Sequence, residues 1–164
     1  REFADEPVSL DELNQAIQMA MRTPSVCNRQ PTRVHVILDK EVIAEALHIQ
    51  GGVNGYPAPP ALLMITSDLR AFMTSYERNE GYTDGGLFGM SLLLSLESLG
   101  IGACPLNTMF TATAEKKTRK LLHLPDTSTR HVYRSWTFLG RNTYLSVHSI
   151  PRLRYYLGLA VTTD

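Results

Sequence analysis

The sequence has little of the residues that declare a chemistry on their own. Cysteine occurs twice, as Cys27 and Cys104, with neither metal-ligand spacing nor a disulfide-rich pattern, which fits free thiols in a reducing cytoplasm. The histidines at 35, 48, 123, 131 and 148 form no i, i+4 pair and no carboxylate–histidine set with metal-ligand spacing, so a metal site is not expected. No G-x-S-x-G elbow, phosphate-binding P-loop or G-x-G-x-x-G turn opening a helix occurs, which removes the usual hydrolase, nucleotidase and dinucleotide-fold readings. Net charge is lacking too: 16 basic and 16 acidic side chains cancel, and neither nucleic acid nor a membrane surface is expected as a partner. No window reaches the roughly 18 apolar residues of a membrane helix, because Ser91, Ser95, Glu97 and Ser98 interrupt the best one. The opening REFADEPVS has no apolar core of a cleavable signal.

What remains is an ordinary globular composition, 43% hydrophobic and 20% charged, over 164 residues, enough for one domain and too few to expect two. Ser9 and Glu12 form a capping-box pattern, and Leu10, Leu13, Ile17 and Met21 recur at helical spacing behind it until Pro24. A strand is expected over RVHVIL, 33–38, a helix through KEVIAEALHI after Asp39, and a buried central strand over ALLMITS, 61–67. Asp68 begins a helical pattern with Leu69, Phe72, Met73 and Tyr76 on one face. Between Gly86 and Leu99 the apolar residues point to every side of a helical wheel, so a helix buried all round is expected, capped by Asp84 and stopped by Gly100. The run GIGAC, a polar-faced helix AEKKTRKLLHL and a strand within HVYRSWTFLG follow, giving a mixed domain of helices and strands.

Side-chain catalysis finds little support, since Cys27 has no histidine near it in sequence and is expected as a small buried residue. Three loops instead suit a flat, polar-edged, anionic molecule: Pro24 to Pro31, then Pro105-Leu106-Asn107, then Arg152 and Arg154. Hydroxyl and amide groups can read the edge of a heteroaromatic ring, an apolar Pro-Leu wall can lie on its face, and arginines can grip a phosphate. Those features describe a site for flavin mononucleotide, FMN.

The segments PSVCNRQP before a strand, DGGLFGMSLLLSLESLGIGACPLN in mid-chain and SIPRLR near the end resemble the nitroreductase family of FMN-dependent enzymes, over essentially residues 1 to 154. The resemblance implies an α+β fold with a central, mostly antiparallel sheet surrounded by helices, in an intertwined homodimer with FMN sites at the interface. It implies one nitroreductase-like domain over 1–164, in which either the N-terminus is trimmed or the grip on FMN is reduced. Pro24, Ser25, Val26 and Asn28, with Gln30, would reach the flavin across the interface, while Pro105, Leu106 and Asn107 would lie against its ring. Arg1, Arg152 and Arg154 would hold the phosphate, although the basic run that usually begins the family is reduced here to Arg1, and Thr32 replaces a common aromatic. The implied activity carries electrons from NAD(P)H, the co-substrate, to a nitroaromatic, quinone or activated alkene by a ping-pong mechanism, with no side chain assigned as acid or base. The alternative is a catalytically silent, dimeric flavin-binding or scaffold protein of the same fold.

Overall fold

The computed structural model describes residues 3, 4, 6–52, 55, 57–108 and 110–124, and the backbone of 135–140. Helix α1, Leu10–Ala20, starts where the capping box places it: Ser9 Oγ accepts from Glu12 N–H at 3.2 Å, and Glu12 Oε2 accepts from Ser9 N–H at 3.1 Å. Its inward face is built by Leu13, Ala16 and Ala20 with Ile17 at the margin, whereas Leu10 and Met21, expected in that stripe, are exposed. Strand β1, Thr32–Ile37, leads to α2, Lys40–Gln50. Asp39 Oδ1 caps α2 through Glu41 and Val42 N–H, and Gly51 ends it at φ +77°, a conformation that suits a residue without Cβ.

Strand β2, Ala61–Ser67, is buried along its whole length because helices cover both faces of the sheet. Ala61, Leu63 and Ile65 join α1 and α3, Glu80–Ser98, in one core. Leu62 and Met64 join α2, α4 (Ala112–Leu121) and Leu106 in the other. The alternation of a strand thus serves two cores at once, which explains an apolar run without a polar face. Each fully buried leucine, isoleucine or methionine there contributes about 1.5–3 kcal/mol. Strands β3, Gly102–Leu106, and β4, Ser135–Gly140, complete a sheet ordered β1-β2-β4-β3 in which every neighbouring pair is antiparallel. Pro105, which cannot donate to a ladder, stands on the edge strand β3 of these four.

Three expectations are corrected. The apolar helix begins at Glu80, six residues before Gly86, so Asp84 lies inside its second turn, 3% exposed, and is no cap. That helix is not covered on every side: Leu87, Met90 and Leu94 are 47%, 55% and 60% exposed in the single chain. The pattern after Asp68 does not make one helix; it makes two short 3-10 turns, Leu69–Ala71 and Ser75–Glu77, separated at Phe72 by extended backbone. The α3 start packs tightly on the end of β2, where a Cβ on Gly81 would come within 3.2 Å of Ser67 Oγ.

Candidate functional site

The loop between α1 and β1 carries the densest backbone strain among the described residues. Cys27, Asn28 and Gln30 adopt φ of +47°, +53° and +52°, a left-handed region that costs a non-glycine residue of order 1 kcal/mol each. Bonds from inside and outside the loop hold it there. Ser25 Oγ accepts from Gln30 N–H at 2.9 Å, and Gln30 Nε2 donates to Thr23 O at 3.1 Å and to Asn28 Oδ1 at 2.9 Å. The buried Asp84 carboxylate reaches from α3 to accept Val26 N–H with both oxygens, at 3.1 and 3.2 Å.

Two donors are left over by this arrangement among the described residues. Asn28, exposed, spends its Oδ1 on Gln30, and its Nδ2 group makes no hydrogen bond among the described residues. Ser25 accepts through its hydroxyl and keeps its own proton to donate. Cys27 stands exposed at the tip, correcting the expectation of a buried residue. Pro24 is exposed and Val26 half-buried beside them.

Arg29, pointing the other way, ties the loop to the turns after β2. Its Nη1 donates to Ala71 O at 2.9 Å and to Glu77 Oε1 at 2.8 Å. Glu77 Oε2 accepts from Met73 N–H at 2.7 Å and Thr74 N–H at 3.3 Å. The Met73 amide, then the Arg29 guanidinium, holds the Glu77 carboxyl below its usual range, and Glu77 holds the Arg29 guanidinium above its own. Sequence reasoning missed this pair; its residues stand 48 apart, and nothing local to either one signals the other.

Pro105, Leu106 and Asn107 end β3 in another place. Leu106 pairs across β4 with Trp136, which pairs with Met64, so β2 and β4 both stand between β3 and β1. Three strand spacings make about 14 Å across the sheet. The faces differ as well: Leu106 belongs to the core under α2, and Asn107 O accepts from Gln50 Nε2 of α2 at 3.1 Å, whereas the Pro24–Gln30 loop is anchored on α3. The two halves of the expected site therefore do not meet within one chain. Arg1, Arg152 and Arg154, expected on a phosphate, lie outside the described residues. A cavity of about 650 Å³ opens at the far end of the sheet, among Phe3, Val8, Leu38, Ile43 and Pro57–Pro60, and touches neither half.

Residues 1–67 match the model of the Nitroreductase family. The "FMN reductase [NAD(P)H]" of Bacillus subtilis is 28% identical over 124 residues, 66% of this chain and 50% of the relative, so the chain spans about half the length of that curated relative. Among solved structures, the NADPH:FMN oxidoreductase from Vibrio harveyi complexed with NAD+ superposes with a TM-score of 0.73 at 19% identity, covering 88% of this chain and 64% of the other. An FMN-dependent nitroreductase from Clostridium difficile R20291 gives 0.70 at 19% identity, covering 87% and 82%. At such identities the superpositions establish the fold.

Proposed function

We propose that this chain is a member of the nitroreductase family, a reading that the match over its first 67 residues and its fold support, and that it is an FMN-dependent NAD(P)H oxidoreductase whose flavin lies between two copies of the chain. The observation that carries the reading is the loop from Pro24 to Gln30: three strained non-glycine residues, fixed by the buried Asp84, keep an exposed amide and a hydroxyl proton for a ligand. Strain held in place by the surrounding structure collects at ligand sites. The names of the relatives, one an FMN reductase and one an FMN-dependent nitroreductase, support flavin as that ligand.

FMN suits the donor set. Asn28 Nδ2 and the Ser25 hydroxyl can donate to carbonyl oxygens on the edge of a heteroaromatic ring, and Gln30 orients Asn28 for the task. The Pro105–Asn107 segment is proposed to lie against the ring, with Pro105, which carries no N–H, as wall. Because the loop and the β3 end lie on opposite edges and faces of the sheet, a second copy must supply one of them, which supports the homodimer. Arg1, Arg152 and Arg154 are proposed for the phosphate. When bound there, FMN would supply the redox chemistry between NADH or NADPH and a nitroaromatic, quinone or activated alkene, with ping-pong kinetics. The chain's own residues position the ring and its substrates, with no acid or base required among them.

The test is the pair of half-reactions, run separately in the absence of oxygen on the FMN-loaded protein. NADH or NADPH alone should bleach the bound flavin, and a quinone added after removal of the nucleotide should restore its colour. Loaded flavin that neither nucleotide bleaches would contradict the reading.

A further inference from the structure

Resting on that flavin reading, we propose that the buried Asp84 carboxylate tunes the bound flavin: its uncompensated charge lowers the reduction potential of the ring that the Pro24–Gln30 loop holds. Asp84 is 3% exposed, and the other buried polar side chains among the described residues are hydroxyls. No cation balances it there. Among the described residues Asp84 makes no ion pair, and Arg29, the cation of the loop that Asp84 anchors, is turned away onto Glu77 and Ala71 O. Asp84 also stands in the second turn of α3, past the first turn in which a helix N-terminus favours a carboxylate.

The charge exceeds what the hydrogen bond needs. Val26 offers one N–H, and both carboxylate oxygens crowd onto it at 3.1 and 3.2 Å. A single neutral acceptor, such as an asparagine carbonyl, would satisfy that donor. A buried charge without a counter-ion costs stability, and its presence points to a task for the charge itself. Its place suggests the task. Val26 N–H is one peptide unit from Ser25, whose hydroxyl proton is free for the ring edge, and the same loop carries Asn28. Reduction of a flavin by a hydride donor oxidises NAD(P)H to NAD(P)+ and leaves the ring with one negative charge more. The Asp84 charge, shielded from water, repels that added charge more strongly than an exposed carboxylate would. Reduced FMN is therefore held less tightly, relative to oxidised FMN, than with a neutral residue at 84, and the difference is a lower potential. A flavin so held is a stronger donor to the acceptor.

The experiment is a potentiometric titration of the bound flavin, without oxygen, in the FMN-loaded parent and in Asp84→Asn, read by visible absorption against a reference dye. Asparagine keeps an acceptor for Val26 and removes the charge. The ratio of Kd for reduced FMN to Kd for oxidised FMN should fall about tenfold in the variant, which raises the midpoint potential by about 30 mV for a two-electron couple. A purely structural role for Asp84 would weaken both redox states alike and leave the potential where it was. An unchanged or lower potential in Asp84→Asn therefore overturns the inference. Asp84→Ser, also neutral, should shift the potential in the same direction and serves where the asparagine variant does not fold. If neither neutral variant folds and keeps FMN, Asp84 is a folding residue only, and the inference is overturned as well. A parent protein that keeps no flavin sinks the underlying reading; one that keeps flavin at the potential of its neutral variant sinks only this inference.

Discussion

At the scale of single residues, the site depends on one buried carboxylate. Asp84, 3% exposed, ends its reach on the Val26 N–H, and a charge-assisted bond of that kind is stronger than a neutral one. Asp84→Ala leaves the Val26 donor without its partner, so the chain should lose about 1–3 kcal/mol in urea unfolding. Asp84→Asn keeps an acceptor oxygen and should lose less than half as much. Equal stability of all three proteins would show that the bond does not hold the loop. The sequence made Ser25, Asn28 and Gln30 legible as polar loop residues ahead of a strand. It misplaced Asp84, because an aspartate two residues before an apolar run reads as a cap, and only the tertiary position of Val26 gives it another task.

At the scale of elements, local signals worked where the bonds are local. The Ser9–Glu12 box, the Asp39 cap and the Gly51 and Gly100 stops all lie within a few residues of what they terminate, and the helices obey them. The segment after Asp68 failed for the converse reason: Asp68 caps a single turn, Phe72 is extended, and Glu77 gives its oxygens to Met73, Thr74 and the distant Arg29. Helix α3 shows a third case. Its all-round apolar surface was legible, but among the described residues only the side facing β2 and α1 is covered, leaving Leu87, Met90 and Leu94 as an outward stripe at helical spacing. A second copy of α3 is the proposed cover. Leu94→Glu, harmless on a solvated helix, would bury a charge in that contact, so sedimentation should find the variant as a monomer at concentrations where the parent is a dimer. A variant that remains dimeric would place the interface elsewhere.

At the scale of the whole molecule, the fold separates what the site needs. Helices on both faces of an antiparallel sheet put the strained Pro24–Gln30 loop with α3 at one edge, and the Pro105–Asn107 segment with α2 at the other. The sequence shows both segments as candidates, yet their separation within one chain emerges only from the order β1-β2-β4-β3, which no periodicity reports. Flavin binding is therefore proposed to be a property of two chains. The most direct measurement is gel filtration of the protein after incubation with FMN, read for mass by light scattering and for flavin by visible absorption across the same peak. One flavin per chain, retained in a species of two chains, is the predicted result; a dimer that keeps no flavin, or a monomer that keeps it, would contradict the account.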